Sequence, residues 1–185
     1  MKVLIKLFVH LYVLVLVLFF SLLTKLVGFE TVAIRISQIP YKLGNKIRYA
    51  FYKKHLKSLG ENVIFSFGCL VTNVNTVIGN NVRFGPYNTV GLANLGDDII
   101  TAQHVHILSG SKQHSFENRD IPIWKQVGVI QCIELKGDNW VGANVVIMAN
   151  VGYGTVLGSG SVVAKNIPEM CIAAGNPCEK LKERP

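Results

Sequence analysis

The chain has 185 residues, the length of one domain with an appendage. Half of the residues are hydrophobic and only 16% are charged, a balance that excludes an intrinsically disordered chain. The formal net charge of +8 invites a nucleic-acid reading, but ten Lys or Arg against one acid, Glu30, fall in residues 1 to 60, and residues 61 to 185 carry nine basic and ten acidic residues. A basic leader thus precedes a near-neutral body, and nucleic acid is not the expected partner.

The leader opens on LFVHLYVLVLVLFFSLL, Leu7 to Leu23, with fifteen apolar residues in seventeen and Lys6 and Lys25 just outside. As a helix it is roughly 25 Å long, at the short end of what crosses a bilayer. It is apolar on every face, and Thr24, Lys25 and Leu26 offer no small-x-small cleavage site, so a retained anchor is expected in place of a cleaved signal. The anchor, residues 1–39, is either a full span or a re-entrant hairpin continuing through Gly28 into Thr31 to Ser37. Residues 40–58 come next, with Lys42, Lys46, Arg48, Lys53, Lys54 and Lys57 among Tyr41, Ile47, Tyr49, Phe51, Tyr52 and Leu56. Basic and aromatic residues mixed directly after a membrane segment predict an amphipathic helix lying on anionic headgroups. The positive-inside tendency puts the chain after residue 40 on the cytoplasmic side of the inner membrane. Cys69, Cys132, Cys171 and Cys178 form neither a C-x-x-C pair nor a zinc spacing, which fits a reduced compartment.

From residue 59 to 185 the body repeats. Leu59, Phe65, Val71, Ile78, Phe84, Val90, Leu95, Thr101 and Ile107 recur at steps near six, then Leu135, Val141, Ile147, Leu157 and Val163, commonly with Gly or Ala in the next position. Neither a helix nor a strand has that period. Short flat strands joined by tight corners do, three to a turn, each turn stacked as parallel strands on the last.

The runs IGNNVRFGPYNTVG, WVGANVVIM, LGSGSVVAKNIPE and AAGNPCEKLKER resemble those of the hexapeptide-repeat acyltransferases. The resemblance covers about residues 40 to 185 and is strongest in the last fifty. It implies a mainly β fold, the left-handed parallel β-helix, assembled as a homotrimer with active sites between protomers. It also implies acetyl-CoA as acyl donor, bound along the groove between coils of two subunits.

A polar interruption, SGSKQHSFENRDIPIWKQ at residues 109–126, is the expected catalytic loop, because a solenoid has no mechanical need for one. The resemblance makes its His114 the general base, a role suited to an imidazole titrating near working pH. Asn88, in GPYNTVG, matches an asparagine that sugar acetyltransferases of this type place near thioester or acceptor; its alternative is a corner residue. Trp140 corresponds to a tryptophan at the pantetheine groove, with a subunit interface as the alternative. Gly142, Ala143, Gly160 and Ser161 match groove positions, and Lys165 and Lys180 are available to the nucleotide phosphates. Asn176 and Pro177 are placed where the chain leaves the last coil. His104 and His106, with His114, could offer imidazoles to zinc, but their spacing does not match the γ-class carbonic anhydrases of the same fold, and no metal is expected. Two departures from the repeat stand out: a short hexad between Val151 and Leu157, and a five-residue step from Val90 to Leu95.

With the anchor, these readings give an acetyl-CoA-dependent O-acetyltransferase acting on a saccharide, expected to be lipid-linked and part of surface polysaccharide or lipopolysaccharide synthesis. An N-acyltransferase on an amino sugar and a non-catalytic β-helix recruited to membrane lipids are the alternatives.

Overall fold

The computed structural model describes residues 2–185. Three helices come first: α1 (Lys2–Val27), α2 (Phe29–Ser37) and α3 (Tyr41–His55). Gly28, with φ +85°, breaks the first from the second in a conformation that suits glycine. Among the described residues one helix stretch, Lys6–Val27, is long and apolar enough to cross a membrane.

The chain then winds into a three-sided parallel coil. The first turn is β1 (Ser58–Leu59), β2 (Ile64–Phe65) and β3 (Leu70–Val71); the second is β4 (Val77–Ile78), β5 (Arg83–Phe84) and β6 (Thr89–Val90). The third is β7 (Ala93–Leu95), β8 (Ile100–Thr101) and β9 (His106–Ile107), and the fourth β10 (Ile133–Leu135), β11 (Trp140–Val141) and β12 (Val146–Ile147). A fifth turn begins at Val151 and contains β13 (Val156–Leu157) and β14 (Val162–Val163); a sixth, partial, begins at Ile167 and contains β15 (Cys171–Ala174). β16 (Glu179–Glu183) returns antiparallel along β15 and ends the sheet edge. The first face stacks β1, β4, β7 and β10, the second β2, β5, β8, β11, β13 and β15, and the third β3, β6, β9, β12 and β14.

In each two-residue strand of the coil the second residue points inward and the first outward, which is why one apolar position recurs per face. From first face to second the inward step is always six residues: Leu59 to Phe65, Ile78 to Phe84, Leu95 to Thr101, Leu135 to Val141, Val151 to Leu157. From second to third it is six again. All irregularity sits at the remaining corner, where the steps are seven (Val71 to Ile78), five (Val90 to Leu95), a long excursion (Ile107 to Leu135), and four twice (Ile147 to Val151, Val163 to Ile167). The expected short hexad between Val151 and Leu157 is therefore corrected: that step is regular, and the shortening lies just before it, at Met148, Ala149 and Asn150.

The inner end of the coil is closed by α2 and α3. The Tyr52 ring lies tilted against Phe65 with centroids 4.7 Å apart, and Phe65 stacks 5.2 Å from Phe84, so an aromatic column runs from the helix into the second turn. The Tyr52 hydroxyl accepts the Val71 N–H at 3.0 Å. Arg48 is wholly buried. Its guanidinium donates to the Phe65 carbonyl (2.8 Å), to the carbonyls of Ile36 (3.1 Å), Ser37 (3.2 Å) and Ile39 (2.8 Å) at the end of α2, and to Asn45 Oδ1 (2.6 Å). A cation at a helix C-terminus meets the negative end of the helix dipole and the orphan carbonyls there. The sequence expectation for residues 40–58 is corrected on this point: Ile47, Arg48, Phe51 and Tyr52 face the coil, and the lysines and Tyr41 remain outside.

Candidate active site

The excursion after the third turn is longer than the 109–126 expected from sequence, running from the end of β9 to the start of β10. It is an organised arm. His114 bridges Val127 in antiparallel fashion, and the Val129 N–H reaches the Lys112 carbonyl at 2.7 Å. A Cβ on Gly128 would stand 2.1 Å from the Gln113 carbonyl oxygen, so the two arms approach closely enough to require glycine. Gln126 closes the tip, its amide donating to the carbonyls of Asn118 and Ile121, both at 2.7 Å. Ser109 ties the base to the coil by accepting the Leu92 N–H at 2.9 Å. His114 is exposed. Around it the arm leaves large apolar side chains in solvent, among them Phe116, Ile123, Trp124 (76% exposed) and Val127 (91%). Exposed apolar surface of that kind is what contacts between molecules are commonly made of.

The expected cofactor positions divide. Trp140, Gly142, Ala143, Gly160 and Ser161 come together around the corner between second and third faces, on the fourth and fifth turns. Trp140 points outward from the second face, 59% exposed, beside Ile100. Gly142 is glycine because a Cβ would lie 2.6 Å from the Ser159 nitrogen. Gly160 has φ +73° and open space beside it. The backbone N–H groups here are committed within the coil: Gly142 to the Leu157 carbonyl (2.8 Å), Gly160 to the Ala143 carbonyl (2.8 Å) and Ala143 to Ser159 Oγ (3.1 Å). The corner therefore offers an extended ligand a smooth surface poor in side chains and leaves few free donors. The Ser161 side chain is buried, donating to the Gly158 carbonyl (2.5 Å) and accepting the Gly175 N–H (3.1 Å), so only its backbone can take part in the groove. Lys165 is exposed at the opposite corner, and Lys180, on β16, pairs with Glu183.

Asn88 is also corrected. It is 1% exposed, its amide donating to the Thr101 hydroxyl and its Oδ1 accepting the Val105 N–H at 2.9 Å. Both ends of its side chain are engaged inside the coil, and it explains why the inward position at Thr101 is polar: the two satisfy one another, as buried polar groups must. It presents nothing to an acceptor.

Sequence reasoning missed the pair above it. Tyr87 and His104 occupy successive left-handed corner positions (φ 57° and 55°), the column that Gly68, Asn144 and Gly160 fill elsewhere. Their rings stack 5.2 Å apart at 6°. Bulky residues at positive φ are uncommon, and the signal was present in the register: wherever the column is not Gly or Asn, something other than turn chemistry selected it. His104 thus points from a corner and His106 from the third face, and no group of three His, Cys, Asp or Glu able to hold a metal occurs among the described residues.

The root of the arm that carries His114 and the Trp140–Gly160 corner stand at opposite edges of the third face. The arm leaves from the variable corner, the groove from the other, with β12 and β14 between them. A face about six residues across puts roughly 20 Å between the two corners.

No family model matches the chain. Among curated proteins it is similar to a galactoside O-acetyltransferase of Lactococcus lactis subsp. lactis (strain IL1403), 30% identical over 128 residues, which are 64% of this chain and 52% of that protein. The chain spans about half the length of the curated relatives it matches. Among solved structures it resembles a galactoside acetyltransferase in complex with coenzyme A, with a TM-score of 0.72 at 21% identity over 84% of this chain and 79% of that one. It also resembles an N-acyltransferase from Bacillus cereus in complex with dTDP and 3-hydroxybutyryl-CoA, with a TM-score of 0.56 at 23% identity over 74% of this chain and 87% of that one. These likenesses establish the fold as a left-handed parallel β-helix of about six turns.

Proposed function

We propose that the protein is an acetyl-CoA-dependent O-acetyltransferase whose acceptor is a hydroxyl of a lipid-linked saccharide, working at the cytoplasmic face of the membrane. The observation that carries this reading is the arm: an ordered, histidine-bearing excursion on a rigid coil whose fold neighbours include a coenzyme A complex. His114 takes the proton of the acceptor hydroxyl as its oxygen attacks the thioester carbonyl. The tetrahedral intermediate then collapses, the C–S bond breaks, and the imidazolium returns the proton to the coenzyme A thiolate. Trp140, Gly142, Ala143 and Gly160 offer the surface along which the pantetheine arm lies, and the exposed Lys180 can meet its phosphates, whereas Lys165 stands at the opposite corner.

Because the arm that carries His114 leaves the coil at the corner opposite that surface, the site is completed by a neighbouring copy. The exposed Phe116, Ile123, Trp124 and Val127 of the arm cross to the second protomer, and a homotrimer closes the ring. The apolar α1 supplies the membrane location and favours an acceptor that itself resides in a bilayer. Surface polysaccharide or lipopolysaccharide assembly is the setting such an acceptor implies. Amino-sugar N-acylation, the second reading, is favoured by the likeness to the N-acyltransferase.

The test is release of free thiol from acetyl-CoA by the purified full chain with hydroxyl or amino sugars, free and lipid-linked. Transfer to a hydroxyl supports the proposal, exclusive transfer to an amine selects the second reading, and activity undiminished in His114→Ala removes the histidine from it.

A further inference from the structure

α1 and α3 run side by side in the same direction over nearly the whole of α3. Phe8, Val9 and Tyr12 meet Lys42, Leu43 and Lys46 at one end. At the other, Ser21 Oγ and His55 Nε2 are 2.8 Å apart. Between them lies a groove of about 680 Å³ with Lys6, His10, Val13 and Val17 on one wall and Lys46, Tyr49 and Lys54 on the other.

The two faces of α1 differ in a way its composition hides. Lys6, His10, Val13, Val17, Ser21 and Thr24 follow helical spacing on the side turned to α3, and this stripe holds most of the polar residues of the helix. Leu4, Leu11, Val15, Leu22 and Leu26 follow the same spacing on the opposite side, and all are exposed. Taken alone α1 reads as a span; taken with α3 it is the apolar half of an amphipathic pair.

α3 cannot follow α1 into hydrocarbon. It is held on the end of the coil by Arg48 and Tyr52, and it carries Lys42, Lys46, Lys53 and Lys54 in solvent along its length. Set upright across a bilayer, α1 would draw those lysines to mid-membrane depth, where charge is costly.

We propose that α1 lies in the plane of a single anionic leaflet, its outer stripe among the acyl chains and Lys42, Lys46 and Lys54 at the phosphates, so that both ends of the helix stay on the side of the coil. The complementarity of those lysines to anionic headgroups, beside a continuous apolar stripe, is what selects a leaflet as the occupant. The inference rests on the membrane location proposed above and is independent of acetyl transfer. It also orients the molecule: α1 is the outermost layer of the capped end, and the arm leaves the coil three turns away, about 14 Å at the usual strand spacing. His114 would then stand above the headgroups, where the first sugars of a lipid-linked acceptor extend.

The test uses the full chain with a short epitope tag before residue 1, in inverted inner-membrane vesicles whose cytoplasmic face is outward. The expected result is digestion of both tag and coil by added protease without detergent. A tag protected until detergent is added would overturn the in-plane placement while keeping the membrane location. Recovery of the protein in the supernatant would overturn both, leaving a second copy as the cover for the stripe, and neither result bears on thiol release from acetyl-CoA. A second arm compares flotation with vesicles of phosphatidylglycerol and phosphatidylcholine against phosphatidylcholine alone. The triple variant Lys42→Gln, Lys46→Gln, Lys54→Gln should lose about tenfold or more of its preference for the anionic vesicles. An unchanged preference would remove the lysines from the contact.

Discussion

The capped end of the coil and the arm at its middle reverse what their sequences advertise. The cap lies in the most basic stretch of the chain and reads as a surface for phosphates, yet Arg48 at its centre is fully buried and bonded to four backbone carbonyls and a side-chain amide. Its burial pulls the guanidinium pKa below its ordinary value, partly opposed by nearby Cys69 and Tyr52. The arm is polar in composition, yet presents Trp124 and Val127 almost wholly to solvent. A solenoid has two kinds of exposed problem: an end that must be covered from within the chain, and a site that is finished from outside. The cap is over-determined because its contacts come from within the chain, and the arm is under-packed, as the proposed second copy requires.

If that contrast is right, the two regions break in opposite ways. Arg48→Met should give the largest stability loss, about 3–5 kcal/mol, because it leaves the end of α2 and the Phe65 carbonyl without donors in a buried place. Thermal unfolding of the purified variant checks it. Arg48→Lys should rescue little, since a single ammonium cannot fork to the same acceptors. His114→Ala should do the reverse, lowering kcat about 10²–10⁴-fold while leaving the unfolding midpoint in place. A midpoint that fell with kcat would mean the arm is as structural as the cap.

Tyr52→Phe sharpens the same comparison on a smaller scale. The ring stays, and with it the column to Phe65 and Phe84, but the Val71 N–H loses its side-chain acceptor. A buried unsatisfied N–H costs about 1–3 kcal/mol, and urea unfolding should register that loss with an unchanged slope. The neighbouring Cys69 thiol, pushed up to about 12 by burial, should stay unreactive to thiol reagents until the cap opens, so its labelling rate reports the same change.

Much of the coil was legible because two of its three corners never vary. The constant six-residue steps from first to second and second to third face put an apolar residue at a fixed phase, and that phase survives in the sequence. The third corner absorbs every insertion and deletion, so counting across it shifts a shortening at Met148 to Asn150 onto the regular step from Val151 to Leu157. The site was less legible because residue type does not reveal direction. Asn88 lies two positions before the inward Val90, as Cys69 does before Val71 and Val105 before Ile107, and that column also points inward. Arg48 was hidden among lysines, although its spacing with Gly44, Ile47, Phe51 and Tyr52 places it on their face. Nothing local to the sequence tells that α1 has α3 along one side; that is a contact between segments about thirty residues apart.

The smallest expected effect lies at that contact. His55 sits between Phe29 and Phe51, with Ser21 at hydrogen-bond distance, and its pKa is lowered from 6.5, first by burial and then by Lys54. A lowered folded-state value means that the neutral ring is the form that fits. The stabilisation it brings is fully present above its unfolded value near 6.5 and is lost as pH falls through the lower folded one. Ser21 can bond the ring in either state, as donor to the neutral nitrogen or acceptor from the charged one, so the loss comes from desolvating a cation there and, after that, from Lys54 beside it. Amide hydrogen exchange along Ser21 to Thr24, corrected for its intrinsic pH dependence, should therefore speed up modestly below pH 6. His55→Gln, which bonds Ser21 without titrating, should abolish the change. Were the cap itself to loosen at the same pH, the exchange would spread to Phe51 and Tyr52, and the contrast between a rigid cap and a detachable α1 would fail.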